Sequence, residues 1–300
     1  MRGTYGPAQP SPRVCMNQPI LYAIVAMACY GLSDFIYKQA AAAAIRADHF
    51  LMVQGWVFFP LVIFYAVATG TLIPDPAALW GSLAGAFVFI GFYYFIRSLA
   101  AGSVSTNASI FRMNFIVTVF LVIAFLGEPL TPRKIAGLAL ALLATWLLVG
   151  AGAIAACTPN DARRRSLVQV AVATLAFGAS NFFHTVGLRH GAVPETLAVA
   201  QAALFMPLAT VVVYFAHRNL RPPPVTFKYG AAAAVVLLGA TIFLLRGVAS
   251  GQASVLVPIA QMGFIVAALL GIFILREPVT VRKAMGLVSA LAALAVLAWS

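Results

Sequence analysis

Charge is scarce in this sequence, and negative charge scarcer still: Asp and Glu together number 7, against 19 Lys and Arg. Only 9% of residues are charged, where a soluble domain carries roughly a quarter. That shortage excludes an ordinary soluble globular protein. Cysteine is almost missing. Cys15, Cys29 and Cys157 stand at unrelated spacings, so neither a disulfide framework nor a thiolate metal site follows. The four histidines are scattered without metal-ligand spacing, and no phosphate-binding loop or nucleophile elbow is present. No basic–aromatic recognition module appears either. These gaps give no reason to expect a metal, a cofactor, a nucleic-acid partner or an enzyme.

What is abundant is apolar surface. The chain is 63% hydrophobic with a mean hydropathy of +0.98. The apolar residues fall in long unbroken runs, as in a multi-pass helical membrane protein, and not in the short alternating strands of a barrel. Ten such segments are expected, at about 19–44, 48–69, 77–100, 103–126, 132–153, 166–189, 194–216, 229–249, 252–275 and 280–299. Pro, Gly and charge mark the breaks, as in Ile73-Pro74-Asp75-Pro76, Gly127-Glu128-Pro129 and Arg221-Pro222-Pro223-Pro224. Residues 1–18 read as a proline-rich disordered tail, with Met1 and Met16 both open as the start. The linker 157–165 divides a first half, 19–156, from a second, 166–300.

The two halves repeat. Tyr30-Gly31-Leu32-Ser33-Asp34-Phe35 aligns with Phe177-Gly178-Ala179-Ser180-Asn181-Phe182 at an offset of 147. Gln54 meets Gln201, Phe58 meets Phe205 and Pro60 meets Pro207 in the same register. After a two-residue insertion the offset is 149. Arg97 then meets Arg246, Met113 meets Met262, and Phe115-Ile116-Val117 meets Phe264-Ile265-Val266. Glu128-Pro129 meets Glu277-Pro278, each followed by Arg-Lys and by Gly137 or Gly286. Such self-similarity marks a structural repeat. Five crossings per half is an odd number, so the second copy enters the membrane from the opposite face. The expected fold is therefore an all-α membrane protein of ten transmembrane helices, built as two inverted five-helix repeats. In such folds the solute site lies near the midplane between the repeats.

With Phe125-Leu126-Gly127-Glu128-Pro129 and Ile274-Leu275-Arg276-Glu277-Pro278, with Pro258, and with Gly31-Leu32-Ser33-Asp34-Phe35, each half resembles an EamA-type repeat of the drug/metabolite transporter superfamily. The resemblance covers essentially 20–299. It implies alternating-access transport of small metabolites, amino acids or drugs, with export ahead of import. It also implies that segments 1, 3, 4, 6, 8 and 9 line a central cavity. Ser109 stands where the second half has Pro258, so the fourth helix is expected to be straighter than the ninth.

Candidate site residues follow from charge placed inside apolar segments. An ionisable side chain near the middle of a membrane helix costs a few kcal/mol or more, so it faces protein or water. On the first segment Tyr30, Asp34, Tyr37 and Lys38 share one helical face. On the fourth, Arg112 and Asn114 interrupt an apolar run. Two arrangements remain open. Asp34 and Lys38 satisfy each other and leave Arg112 to hold an anionic group of the solute, or Arg112 pairs with Asp34. In the second case the pair is either a structural bridge or a network that substrate or a proton breaks, which makes Asp34 the proton-coupling candidate. Asn181, His184 and Gln261 occupy the matching positions of the second half as polar contacts. Tyr94, with Tyr93, Phe92 and Trp56, is a wall candidate. The duplicated Glu128 and Glu277 are expected to be structural, capping the next helix or pairing with Arg133 and Arg282. Arg97 and Arg246 either snorkel to headgroups or rim the cavity.

Loop charge and resemblance disagree on orientation. More basic residues follow odd-numbered segments, which puts both termini outside, whereas the resemblance puts them in the cytoplasm. The sequence thus points to a secondary active transporter of the cytoplasmic membrane, a monomer or homodimer among lipids, carrying a small polar solute with an anionic group. A flippase for lipid-linked intermediates, using Arg97 and Arg246 at headgroup level, is the alternative.

Overall fold

The computed structural model describes residues 12–101, 107, 110–149, 160–276 and 280–299. The helices are α1 (Pro12–Ala42), α2 (Ala47–Ala68), α3 (Leu79–Ala101), α4 (Asn114–Leu126), α5 (Pro132–Val149), α6 (Asn160–Arg189), α7 (Pro194–His217), α8 (Pro224–Ser250), α9 (Ala253–Gln261), α10 (Phe264–Leu275) and α11 (Val281–Ala298). No strand occurs among the described residues. Helices α9 and α10 are two halves of one crossing, broken at Met262-Gly263. The fourth crossing is helical over 110–112 and again in α4. Among the described residues eight segments, α9 and α10 taken together as one, are long and apolar enough to cross a bilayer. α1 begins at Pro12, inside the stretch expected to be a tail, and Asn160 opens α6 inside the expected linker. The remainder of both stretches lies outside the described residues.

Composition explains these elements directly. In hydrocarbon each backbone N–H and C=O must be satisfied within its own helix, and runs rich in Leu, Ala, Val and Phe do this while exposing little that is polar. Phe64, Phe120, Phe215, Phe273 and Val288 project outward, as residues that meet acyl chains do. The breaks carry their own chemistry. Pro starts α5, α7 and α8, where its missing N–H is not needed. Gly127 ends α4 with φ +66°, a left-handed cap that favours glycine.

The packing has an internal two-fold relation. α1 lies on α8, and its repeat mate α6 lies on α3. α2 packs on both α7 and α8, while α7 packs on α2 and α3. The last helix of each half, α5 and α11, pack on one another. Their ends show the inversion. Arg282, at the start of α11, donates to the carbonyls of Trp146 (2.9 Å) and Leu147 (3.1 Å) near the end of α5. Arg133, at the start of α5, donates to the Trp299 carbonyl just past α11 (3.3 Å). Each arginine thus meets the negative end of the other helix's dipole. Both arginines thus place charge at helix ends, and Arg133 does so instead of pairing with Glu128, whose carboxylate is held by Arg189.

Glu128 is structural, as expected, but it does not cap the next helix. Its carboxylate accepts from the backbone N–H groups of Ala253 (3.1 Å) and Ser254 (2.9 Å), capping α9 in the other half. Arg189 Nη2 donates to the same carboxylate at 3.1 Å. Lys134, buried beside it, donates to the Pro129 carbonyl (2.7 Å), Gln252 Oε1 (2.5 Å) and Ser254 Oγ (2.8 Å). The physical reason is the fold: Glu128 ends one half on the membrane face where the ninth crossing begins. Glu277 lies outside the described residues.

Candidate functional site

The duplicated Gly-x-Ser-Asp/Asn motif builds the centre of the molecule. On α1, a methyl group added at Gly31 would collide with the Gly263 carbonyl oxygen and Val266. On α6, one added at Gly178 would stand 2.7 Å from the Asn114 carbonyl oxygen and 2.5 Å from Val117. Each motif glycine thus lets its helix lie against the backbone of a broken crossing, α1 on the ninth and α6 on the fourth. Ser33 and Ser180, two residues on, are both buried there.

Both crossings are broken at the same repeat position. Met113 N–H donates to the Ile110 carbonyl (3.0 Å) and Ile116 N–H to the Met113 carbonyl (2.9 Å). Met262 and Ile265 repeat this bonding, with Ile259 (3.1 Å) and with Met262 (2.9 Å). These are tight three-residue turns that shift the helical ladder. The fourth helix is therefore interrupted like the ninth, against the expectation from Ser109. The break sits four residues past Pro258 and needs no proline.

The broken fourth crossing delivers Arg112 to α1. The Arg112 guanidinium forms an ion pair with the Asp34 carboxylate, and each side chain keeps 20% of its surface exposed. The structure thus contains the Asp34–Arg112 pair, one of the two arrangements the sequence left open. The Lys38 side chain lies outside the described residues. Asn114, just past the break, donates its amide to the Phe111 carbonyl (2.8 Å). Tyr37 donates to Gln54 Oε1 at 3.0 Å, tying α1 to α2. The repeat mates of that pair, His184 and Gln201, face one another from α6 and α7. Tyr30 lies beside Thr241 of α8. Tyr94 packs edge-on to Tyr93 with ring centroids 5.4 Å apart.

Several buried polar atoms of the described residues have no hydrogen-bond partner: Asn114 Oδ1, Ser180 Oγ, Asn181 Nδ2 and Gln261 Nε2, on α4, α6 and α9. Ser33 stands beside Tyr37, and His184 beside Gln201. Buried polar groups are normally satisfied, and inside a membrane each orphan costs more. These atoms form a set of buried groups open to further hydrogen bonds. Other polar residues on these helices do not belong to it. Asn107 donates to the Ser98 carbonyl (2.7 Å) and Ser166 Oγ (2.8 Å), and Thr118 to the Gly178 carbonyl (3.1 Å). These are packing contacts. Ser180 was not among the candidates the sequence offered.

A second polar cluster lies at the membrane face reached after odd-numbered crossings. Asp48 accepts from the His49 N–H (2.8 Å) and pairs with His217, and Arg46 Nε stands 3.7 Å from its carboxylate. Asp48, His49 and His217 bring potential ligand atoms within 4.8 Å of one another. Arg46 Nη2, however, sits 2.9 Å from the His217 ring nitrogens, so a divalent ion there would face a fixed cation.

Two inverted five-helix repeats, enclosing a polar centre between broken crossings, define a multi-pass membrane carrier. Residues 17–150 match the model of the EamA-like transporter family, and the second half repeats that unit. The first half of the chain is thus an EamA-like unit of a membrane transporter. A crystal structure of a protein 15% identical in sequence superposes with a TM-score of 0.76, over 95% of this chain and 96% of its own length. That likeness concerns the fold. A comparison with curated proteins found no match.

Proposed function

We propose that this chain is a secondary carrier for a small polar solute with an anionic group, working by alternating access in the cytoplasmic membrane and favouring export. The observation that carries the reading is the Asp34–Arg112 pair, joining α1 to the broken fourth crossing, with buried unpartnered polar atoms on α4, α6 and α9. Arginine keeps its charge and presents a planar fork that suits carboxylate or phosphate. An anionic group entering the centre competes with Asp34 for that fork. Asn114, Asn181, His184 and Gln261 supply the remaining contacts, Tyr30, Tyr37 and Tyr94 the wall, and Lys38 a second cation on the α1 face. Asp34, once released from Arg112, is the carboxylate that takes up a proton, and that step couples solute to proton movement. The flippase alternative needs a free cation at each headgroup level. Arg246 is bound to Glu195 (2.7 Å), which weighs against it.

The test is in two steps. A thermal-shift screen of purified protein against small anions and their neutral analogues identifies the chemical class, because a ligand that binds only the folded state raises its stability. Flux of the best ligand in proteoliposomes is then measured for wild type, Arg112→Ala and Asp34→Asn. Both variants should lose transport. Wild-type flux in both would remove the pair from the mechanism.

A further inference from the structure

The ends of the repeat hold a second symmetry relation, and the structure breaks it. Asp48 and Glu195 correspond at the offset of 147, each in the first turn of its helix. Arg97 and Arg246 correspond at 149. In the second half the two are joined. Arg246 Nε donates to Glu195 Oε1 at 2.7 Å, Nη2 lies 2.6 Å from the same oxygen, and the guanidinium covers the Tyr65 ring at 5.8 Å. Beneath them Val62, Ala198, Ile242 and Leu245 are packed together, with Tyr65 and Leu238 against them.

In the first half the equivalent pair is not made. Arg97 turns to the Tyr93 hydroxyl (2.7 Å), and Asp48 is held by His217 and Arg46. Between Asp48 and Arg97 lies a cavity of about 490 Å³, lined among others by Leu51, Phe89, Tyr93, Ile96, Ala209 and Val212. Four of these, Leu51, Tyr93, Ile96 and Ala209, are the repeat mates of Ala198, Ile242, Leu245 and Val62, the residues packed solid at the other membrane face. Cavity and packed cluster are built from matching positions of the repeat.

We infer that Asp48–Arg97 and Glu195–Arg246 are conjugate gates at opposite membrane faces, and that His217 and Arg46 are the latch that holds the first gate open while the second is shut. The latch belongs to this half alone, since the residues matching Arg46 and His217 are Val193 and Gly70. When Asp48 leaves His217 for Arg97, α2, α3 and α7 close on the cavity as their mates have closed at the other face, and Glu195–Arg246 parts. The inference rests on the alternating-access reading above. It concerns residues at the membrane faces and not the central pair, and its test needs no solute, so a wrong substrate class would leave it standing.

The experiment compares two reporter cysteines in full-length protein whose native cysteines carry C15S, C29A and C157S. Ile96→Cys lies in the cavity, and Leu245→Cys in the packed mate, where Leu245 is 2% exposed. Labelling by a polar maleimide is followed in detergent, where both faces are accessible. In the parent the Ile96 position should react and the Leu245 position should not. Weakening the shut gate with Glu195→Gln, or releasing the latch with His217→Asn, should slow the first and speed the second. Each change should be about fivefold or more, the lower end of coupling between linked sites. His217→Asn lies at a helix end and tests the idea even if Glu195→Gln fails to fold. Reciprocal change supports conjugate gates. Any other pattern, unchanged rates or a rise at both positions included, overturns them.

Discussion

Gly31 lies directly against the backbone of Gly263, so that a methyl group added at Gly263 would stand 2.7 Å from the Gly31 nitrogen. This contact sets the distance between α1 and the broken ninth crossing. Gly263→Ala should therefore force the helices apart at the centre of the molecule. Overpacking a well-filled interior costs about 1–3 kcal/mol, and here the obstacle is backbone, which yields less than a side chain. A melting temperature in detergent several degrees below wild type is expected. Gly239→Ala is the control, since its added carbon would meet only Cys29 Sγ at 3.4 Å. Equal loss in both variants would show that the crossing is not specially close.

The mirror contact makes a second, independent expectation. Gly178→Ala would press on the Asn114 carbonyl and on Val117. If the two halves are equivalent in packing, its cost should resemble that of Gly31→Ala, which meets the Gly263 carbonyl and Val266. Thermal denaturation of the two variants side by side decides this. A large cost in one half and none in the other would mean that the repeat has lost its symmetry at the centre as well as at the faces.

The fold was readable in the sequence because its markers are local and duplicated. Glycine, proline and Glu-Pro recur in fixed register, and register survives where apolar residues drift. The chemistry at the centre was readable as a set of residue types, since Asp34 and Arg112 are costly in a membrane and must be explained. Which partner Asp34 takes was not readable, because Lys38 one turn away and Arg112 on another helix satisfy the same charge. The break at Met113 was hidden for a related reason. It lies where α6 packs on the Asn114 carbonyl, a contact between residues far apart in the chain, while the local signal, proline, is present only in the ninth crossing. Glu128 shows the same limit: its type announced a cap, but the helix it caps begins 125 residues later at Ala253.

Two capping sites differ in burial, and that difference predicts the size of their effects. Glu128 is buried and accepts from two backbone N–H groups and from Arg189. Removal of a helix cap costs about 0.5–2 kcal/mol, and charge-assisted bonds stand near the upper end. Glu128→Ala should therefore lower the melting temperature clearly, and Glu128→Gln by less. Arg282 is exposed at its hydrogen bond to Trp146, where solvent competes, so Arg282→Ala should cost under about 1 kcal/mol. The reverse ranking would contradict the capping role of Glu128.

The Asp34–Arg112 pair allows stability and transport to be separated. Removing one member of a poorly solvated ion pair strands the other, at a cost of about 3–5 kcal/mol, while replacing both by neutral groups of similar shape is often near neutral. Arg112→Gln leaves the Asp34 carboxylate without its arginine partner. Asp34→Asn leaves the Arg112 charge, which then has only the partial exposure of its side chain to rely on. The double variant Asp34→Asn/Arg112→Gln removes both charges and should recover most of the melting temperature lost by the worse single variant. Flux should not recover with it, because the neutral pair has no fork for an anionic group and no carboxylate to carry a proton. A double variant that is both stable and active would make the pair a structural bridge only. One that stays as unstable as Arg112→Gln would mean that the buried atoms around the pair, Asn114 and Ser33 among them, depend on its charges for their placement.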